Sequence, residues 1–199
     1  MQAASEVFAE KRFLDTNVSD IVQRAGTAHG TFYRYFNSKE EIFREVALEL
    51  QRAMLDSSGE DDGPTRPADR PQSFESLEDE MLWRITRANR RYLHAYRRHA
   101  ALFAVVEQVA TFSDELREIR RELRRAFVDR AQRSIERMQA EGLACRDVDA
   151  RYAASALGSM VDRFAYVWLV LEEDFDEAEV VENLTTIWFQ AIGGVVPTR

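Results

Sequence analysis

The chain has 199 residues, 45% of them hydrophobic, a formal net charge of −8 and one cysteine, Cys145. A single cysteine excludes an internal disulfide and suits a reducing cytosol, and no signal peptide or apolar run of membrane-spanning length is present, so the sequence predicts a cytoplasmic protein without membrane attachment. The acidity confines any nucleic-acid contact to a local patch, because phosphate contact needs local positive charge and the acidic residues gather elsewhere, notably at 60–62 and 172–179.

The chain opens on a helix already under way, with Val7 and Phe8 turned inward. A short helix is predicted over about 18–25. Asn17 is placed as its N-cap, Asp20 suits its positive end, and Ile21, Val22 and Ala25 form its apolar side. Gly26 ends it, glycine being the residue that most readily takes the positive φ needed past a helix end. A second short helix starts near Thr27 and runs to about Tyr35, with Phe32, Tyr35 and Phe36 expected inside and His29, Gly30, Tyr33 and Arg34 outside. That outer face combines an imidazole, a bare backbone, a phenol and a guanidinium. It is what a helix entering a DNA major groove presents: Arg34 to phosphate or guanine, Tyr33 to a phosphate, and small Gly30 and Thr31 for close approach. Ser38 and Glu41 have capping-box spacing, and Lys39 beside the free N–H groups makes a candidate phosphate seat.

The runs FAEKRFLDTNVSDIVQRAG and GTFYRYFNSKEEIF, within about residues 3–50, resemble the N-terminal domain of the TetR (tetracycline-repressor) family of transcription regulators. The resemblance implies an all-α protein: an N-terminal three-helix helix-turn-helix DNA-binding domain, then a C-terminal helical ligand-binding and dimerisation domain. It implies an earlier start to the first helix and a short basic arm before it. Its DNA-binding positions fall here on Asn17, Ser19, Thr27, Ala28, His29, Gly30, Thr31, Tyr33, Arg34, Tyr35 and Lys39. Ser19 stands where the family often has a basic residue and Ala28 where it often has a serine cap, which leaves the operator sequence open and Thr27 as the alternative cap.

A fourth helix over about 39–55 carries Ile42, Phe43, Val46, Leu50 and Met54 as a stripe, and closes a first domain at 1–55. Residues 56–73 hold Pro64, Pro67 and Pro71 with Gly59 and Gly63, which reads as a flexible linker. Residues 74–199 form the second domain, helical to the end: about 74–97, 100–110, 114–141 capped by Ser113 and stopped by Gly142, 148–172, and a last helix capped by Asp176 and ended by Gly193 and Gly194. Arginines crowd the first and third of these, which reads as a solvated face with partners such as Glu118 for Arg121 and Asp129 for Arg133, the alternative being a second nucleic-acid surface.

Catalysis finds no support. The three histidines, His29, His94 and His99, lie in no E-x-x-H or H-E-x-x-H arrangement, no glycine loop or nucleophile elbow is present, and no metal or other cofactor is called for. Aromatic residues crowd the second domain instead. A small-molecule pocket is expected from Met81, Ile85, Asn89, Tyr92, Tyr96, Phe103, Val106, Phe112, Phe127, Met160, Asp162, Phe164 and Trp168, each of which plain core packing also accounts for. The 148–172 helix is apolar or small nearly all round, so one side needs a partner. This predicts a homodimer through Ala154, Leu157, Gly158, Val161, Ala165, Leu169, Thr185, Trp188, Phe189 and Ile192. The resulting expectation is a ligand-responsive regulator, most simply a repressor, that binds double-stranded DNA at a palindromic operator and is released by an apolar, aromatic or acyl effector. The alternative is a helical small-molecule carrier or sensor without functional DNA binding.

Overall fold

The computed structural model describes residues 1–57, 70–111 and 114–193. Among them are nine helices and no strand: α1 (Gln2–Asp15), α2 (Val18–Arg24), α3 (His29–Tyr35), α4 (Lys39–Ser57), α5 (Leu77–Arg98), α6 (Ala100–Val109), α7 (Asp114–Ala140), α8 (Ala150–Leu169) and α9 (Glu177–Ala191). Most of the expected linker, Phe112 and the cap expected at Ser113 lie outside the described residues.

The chain forms two compact units: Met1–Ala53 with Arg98–Arg125, and Met54–Arg97 with Ala126–Arg199. The first unit takes in α6, which packs against α1.

The first unit is built on rings. Phe8 and Phe13 of α1 stack at 5.8 Å, and Phe43 of α4 meets each of them edge-on at 5.1 Å. Such pairs add roughly 0.5–1.5 kcal/mol each beyond their burial. Ile21 and Val22 of α2, Phe32 of α3 and Ile42 and Val46 of α4 are buried as well. Leu102, Phe103, Val105, Val106 and Val109 of α6 are likewise buried.

In the second unit one cluster joins Met81 and Ile85 of α5, Ile135 and Met138 of α7, Ala150, Ala154 and Leu157 of α8, and Phe189 and Ile192 of α9. Asp149 caps α8 by accepting from the N–H groups of Arg151 and Tyr152, and Asp176 caps α9 through Ala178 and Glu179. The α7–α8 connection is fixed from two sides. Gln139 donates to the carbonyls of Cys145 and Val148, and the Cys145 N–H donates to the Ile192 carbonyl at 2.8 Å. Gly193 has φ +100°, and a Cβ there would lie 2.4 Å from the Cβ of Cys145, so glycine is required on both counts.

Two expectations about faces are corrected. Leu77, whose i, i+4 and i+8 spacing with Met81 and Ile85 would place it on the apolar side of α5, is instead 57% exposed at the first turn. The α8 helix is not apolar on all sides: Tyr152, Ala156, Ser159 and Arg163 form an exposed stripe at helical spacing. Of the residues expected at a dimer interface, Ala154, Leu157, Val161, Ala165, Thr185, Phe189 and Ile192 are instead buried inside the protomer. The pattern of apolar residues cannot say which side a neighbouring helix of the same chain has already covered. Gly158, Leu169 and Trp188 are partly exposed.

Candidate nucleic-acid interface and effector region

The α2–α3 pair is set by local chemistry. The Asn17 side chain accepts from the Asp20 N–H at 3.0 Å, and the Asp20 carboxylate accepts from the Asn17 N–H at 3.0 Å, a closed capping box. At the other end Gly26, at φ +63°, allows the Thr27 N–H to donate to the Val22 carbonyl and its own N–H to donate to the Gln23 carbonyl. These bonds fix the turn into α3. Ala28 occupies the cap position of α3 with no side-chain bond, and Thr27 does not replace it, since α3 begins at His29.

Phe32 is the buried anchor of α3, in ring contact with Tyr33 and Phe36. Tyr35, expected inside with it, is 63% exposed and lies under the Arg34 guanidinium at 5.4 Å. The reason is length. A seven-residue helix that turns extended at Phe36 keeps one residue inside, so Tyr35 joins the outer face. Around it His29, Gly30, Thr31, Tyr33 and Arg34 are exposed, and Ser19 Oγ lies 3.2 Å from His29 Nε2, which ties α2 to the first residue of α3. Asn17, Thr27 and Ala28 are exposed beside them. At Gly30 an added Cβ would meet nothing within 4 Å, so the protomer itself has no need of glycine there.

Lys39 is committed elsewhere. Its ammonium donates to the carbonyls of Phe13 and Thr16, both at 2.7 Å, and sits over the Phe13 ring at 4.4 Å. It serves as an internal clamp on the end of α1. The Ser38 box closes differently from the expected one. Ser38 Oγ accepts from the Glu41 N–H, but Glu41 reaches back to the backbone and side chain of Asn37.

Exposed ion pairs hold α1 to α2. Arg24 bonds Glu6 and both oxygens of Glu10, and Lys11 bonds Asp20 at 2.6 Å. The Arg24 hydrogen bond holds the Glu10 carboxyl below its ordinary range, and Lys11, then the Asn17 backbone, does the same for Asp20.

The expected pocket residues divide. Phe103 and Val106 are core of the first unit, and Met81 and Ile85 are core of the second. Tyr92, Asp162, Tyr96 and Phe127 come together in the second unit. The Tyr92 hydroxyl donates to Asp162 at 2.9 Å, and its ring lies 5.9 Å from Tyr96 and 5.7 Å, edge-on, from Phe127. Asn89 donates to the Thr185 hydroxyl at 3.3 Å, both buried. Phe164 meets Phe175, Trp168 lies under Arg97 at 4.6 Å, and Met160 is partly buried against the core cluster. A cleft of about 440 Å³ that no sequence pattern pointed to lies at the start of α5, lined by Arg70, Phe74, Leu77 and Glu80 among others.

Comparison with known proteins covers both parts of the chain. Residues 1–46 match the family model described as bacterial regulatory proteins, tetR family, and residues 85–194 match the C-terminal domain of the transcriptional regulator EthR. The helix-turn-helix-type regulator EthR of Mycolicibacterium smegmatis is 26% identical over 198 residues, 99% of this chain and 86% of that protein. The uncharacterized regulator YvdT of Bacillus subtilis is 48% identical over 56 residues, 28% of this chain and 29% of that relative, so this match spans less than a third of its length. A TetR-family regulator from Syntrophomonas wolfei shares the fold with a TM-score of 0.76 at 19% identity, covering 99% of this chain and 95% of that one.

Proposed function

Because this chain belongs to the TetR family of bacterial transcriptional regulators, we propose that it binds a palindromic operator as a homodimer, represses from it, and is released by a small apolar effector. The observation that carries this reading is the exposed set His29, Gly30, Tyr33 and Arg34 on a helix anchored by buried Phe32. A helix fixed from beneath and polar outside can enter a major groove without loss of its own packing. We assign DNA binding to residues 1–55 and effector binding and dimerisation to 74–199.

For the effector, Tyr92, Tyr96, Phe127 and Asp162 with the Asn89–Thr185 pair offer apolar walls with a few polar groups, the usual make-up of a small-molecule site. An aromatic or acyl compound fits that chemistry. For the dimer, the exposed stripe Tyr152, Ala156 and Ser159 of α8 with Ile187 of α9 is the self-complementary face. Effector binding lowers operator affinity only by favouring a conformation whose two reading helices no longer match grooves about 34–36 Å apart. No helix of the described residues is long and apolar enough to cross a membrane, and we place the protein, without catalytic activity, in the cytoplasm with the DNA.

The test is selection of bound duplexes from random DNA, followed by release with a metabolite panel. A recovered inverted repeat, released by an apolar compound, is the expected result. Absence of any salt-sensitive DNA binding would leave a ligand carrier as the function.

A further inference from the structure

We infer that Arg12, which lies in α1 outside the reading helix pair, is a DNA-backbone contact of this protein, a role that the sequence pattern does not assign. The inference rests on the DNA-binding reading above. It begins with the cations of residues 1–46, which are Lys11, Arg12, Arg24, Lys39, Arg34 and Arg44. Lys11 is paired with Asp20, Arg24 with Glu6 and Glu10, and Arg44 with Glu122. Lys39 is held by two carbonyls. Arg34 lies on the Tyr35 ring of the reading face. Arg12 is exposed, with no acidic partner among the described residues. Among the described residues 1–46, two of these cations are therefore left for a polyanion, and Arg12 is the one outside α3.

The backbone at Arg12 adds a second, independent observation. Arg12 breaks α1 at φ 69°, ψ 168°, a region that residues other than glycine rarely occupy. The break is held from several sides. Thr16 Oγ1 donates to the Arg12 carbonyl at 2.6 Å, and Lys39 grips the next turn through Phe13 and Thr16. Strain of this kind persists where surrounding bonds over-determine it, and it collects at functional positions. Glycine would satisfy the backbone there without strain, so an arginine in its place has to be explained by its side chain.

The location suits that explanation. Lys11, next in the chain, is bonded to Asp20 in the first turn of α2, and Ser19 of the same turn touches His29 at the head of α3. The Arg12 backbone therefore lies beside the start of α2, since Thr16, which bonds its carbonyl, directly precedes the Asn17 cap, and an exposed guanidinium there is suited to a phosphate rather than a base. It supplies affinity independent of sequence, and so compensates in part for the neutral Ser19 close by.

The experiment titrates a fluorescent mixed-sequence duplex of about 30 base pairs with parent, Arg12→Gly, Arg12→Gln and Arg12→Lys at several salt concentrations, and records thermal midpoints. The salt slope of Arg12→Gly and Arg12→Gln is expected to fall by about one, so that the parent's advantage shrinks about 3.5-fold for a fourfold rise in salt. Arg12→Lys keeps the parent slope. Arg12→Gly also melts higher than the parent, since glycine relieves the backbone, which a purely structural arginine would not combine with weaker DNA binding. Parent slopes in both the Gly and Gln variants, or affinity lost without a change of slope, overturn the inference alone. A parent that binds this duplex without salt dependence overturns the DNA-binding reading and the inference with it.

Discussion

Asn89 on α5 donates to the hydroxyl of Thr185 on α9, and both side chains are more than nine-tenths buried. The sequence had placed these residues in different roles, one at a pocket and one at a dimer face, and the fold makes them one buried polar pair. Removing one member strands the other, which costs about 1–3 kcal/mol for a buried group. Thr185→Val should lower stability by that amount in urea unfolding. Asn89→Leu with Thr185→Val should recover much of the loss, and a double variant no more stable than the single one would refute the pairing.

Gly30 supplies a test of the reading face that separates fold from function. A Cβ there meets no atom within 4 Å, and alanine favours a helix interior over glycine by roughly 1 kcal/mol. Gly30→Ala should therefore melt at or above the parent temperature yet bind operator more weakly, since the methyl intrudes on the approaching DNA. Arg34→Ala should also bind weakly, with a salt slope smaller by about one. Operator titrations in which both variants match the parent would move the interface to another face.

For the dimer, the decisive residues are exposed ones. Ala156→Glu on α8 and Ile187→Asp on α9 put charge on the proposed interface without touching the core. Sedimentation at micromolar concentration should give a dimer for the parent and a monomer for the pair of substitutions, with unchanged helical content. Leu157→Glu should instead unfold the second unit, because Leu157 belongs to its core cluster.

Acid should loosen the α1–α2 contact first. The Asp20 carboxyl is held below its ordinary range by the Lys11 hydrogen bond and the Asn17 backbone. A carboxyl lowered in the folded state stabilises above the ordinary carboxylate pKa, near 4, and loses that contribution as pH falls through the lowered value. Lys11→Met should flatten the decline of the melting temperature below pH 4. An unaltered acid limb in that variant would assign the decline to other carboxylates.

What the sequence by itself determined were the features whose partners lie within a few residues. The Asn17 cap, the Gly26 turn, the Asp176 cap and the Gly142 stop are local features, so spacing alone locates them. The reading helix followed in part: its position and its His29, Gly30, Tyr33 and Arg34 face are a local pattern, whereas the exposure of Tyr35 is not. Tertiary structure alone decided what each long side chain does with its charge. Lys39 reaches back 26 residues to the Phe13 carbonyl, Arg24 spans 14 residues to Glu10, and Arg12 has no acidic partner among the described residues. It also decided which side of α8 is inside. Apolar spacing measures only the wish to be buried, and α5, α7 and α9 had already covered the face that the sequence offered to a second copy.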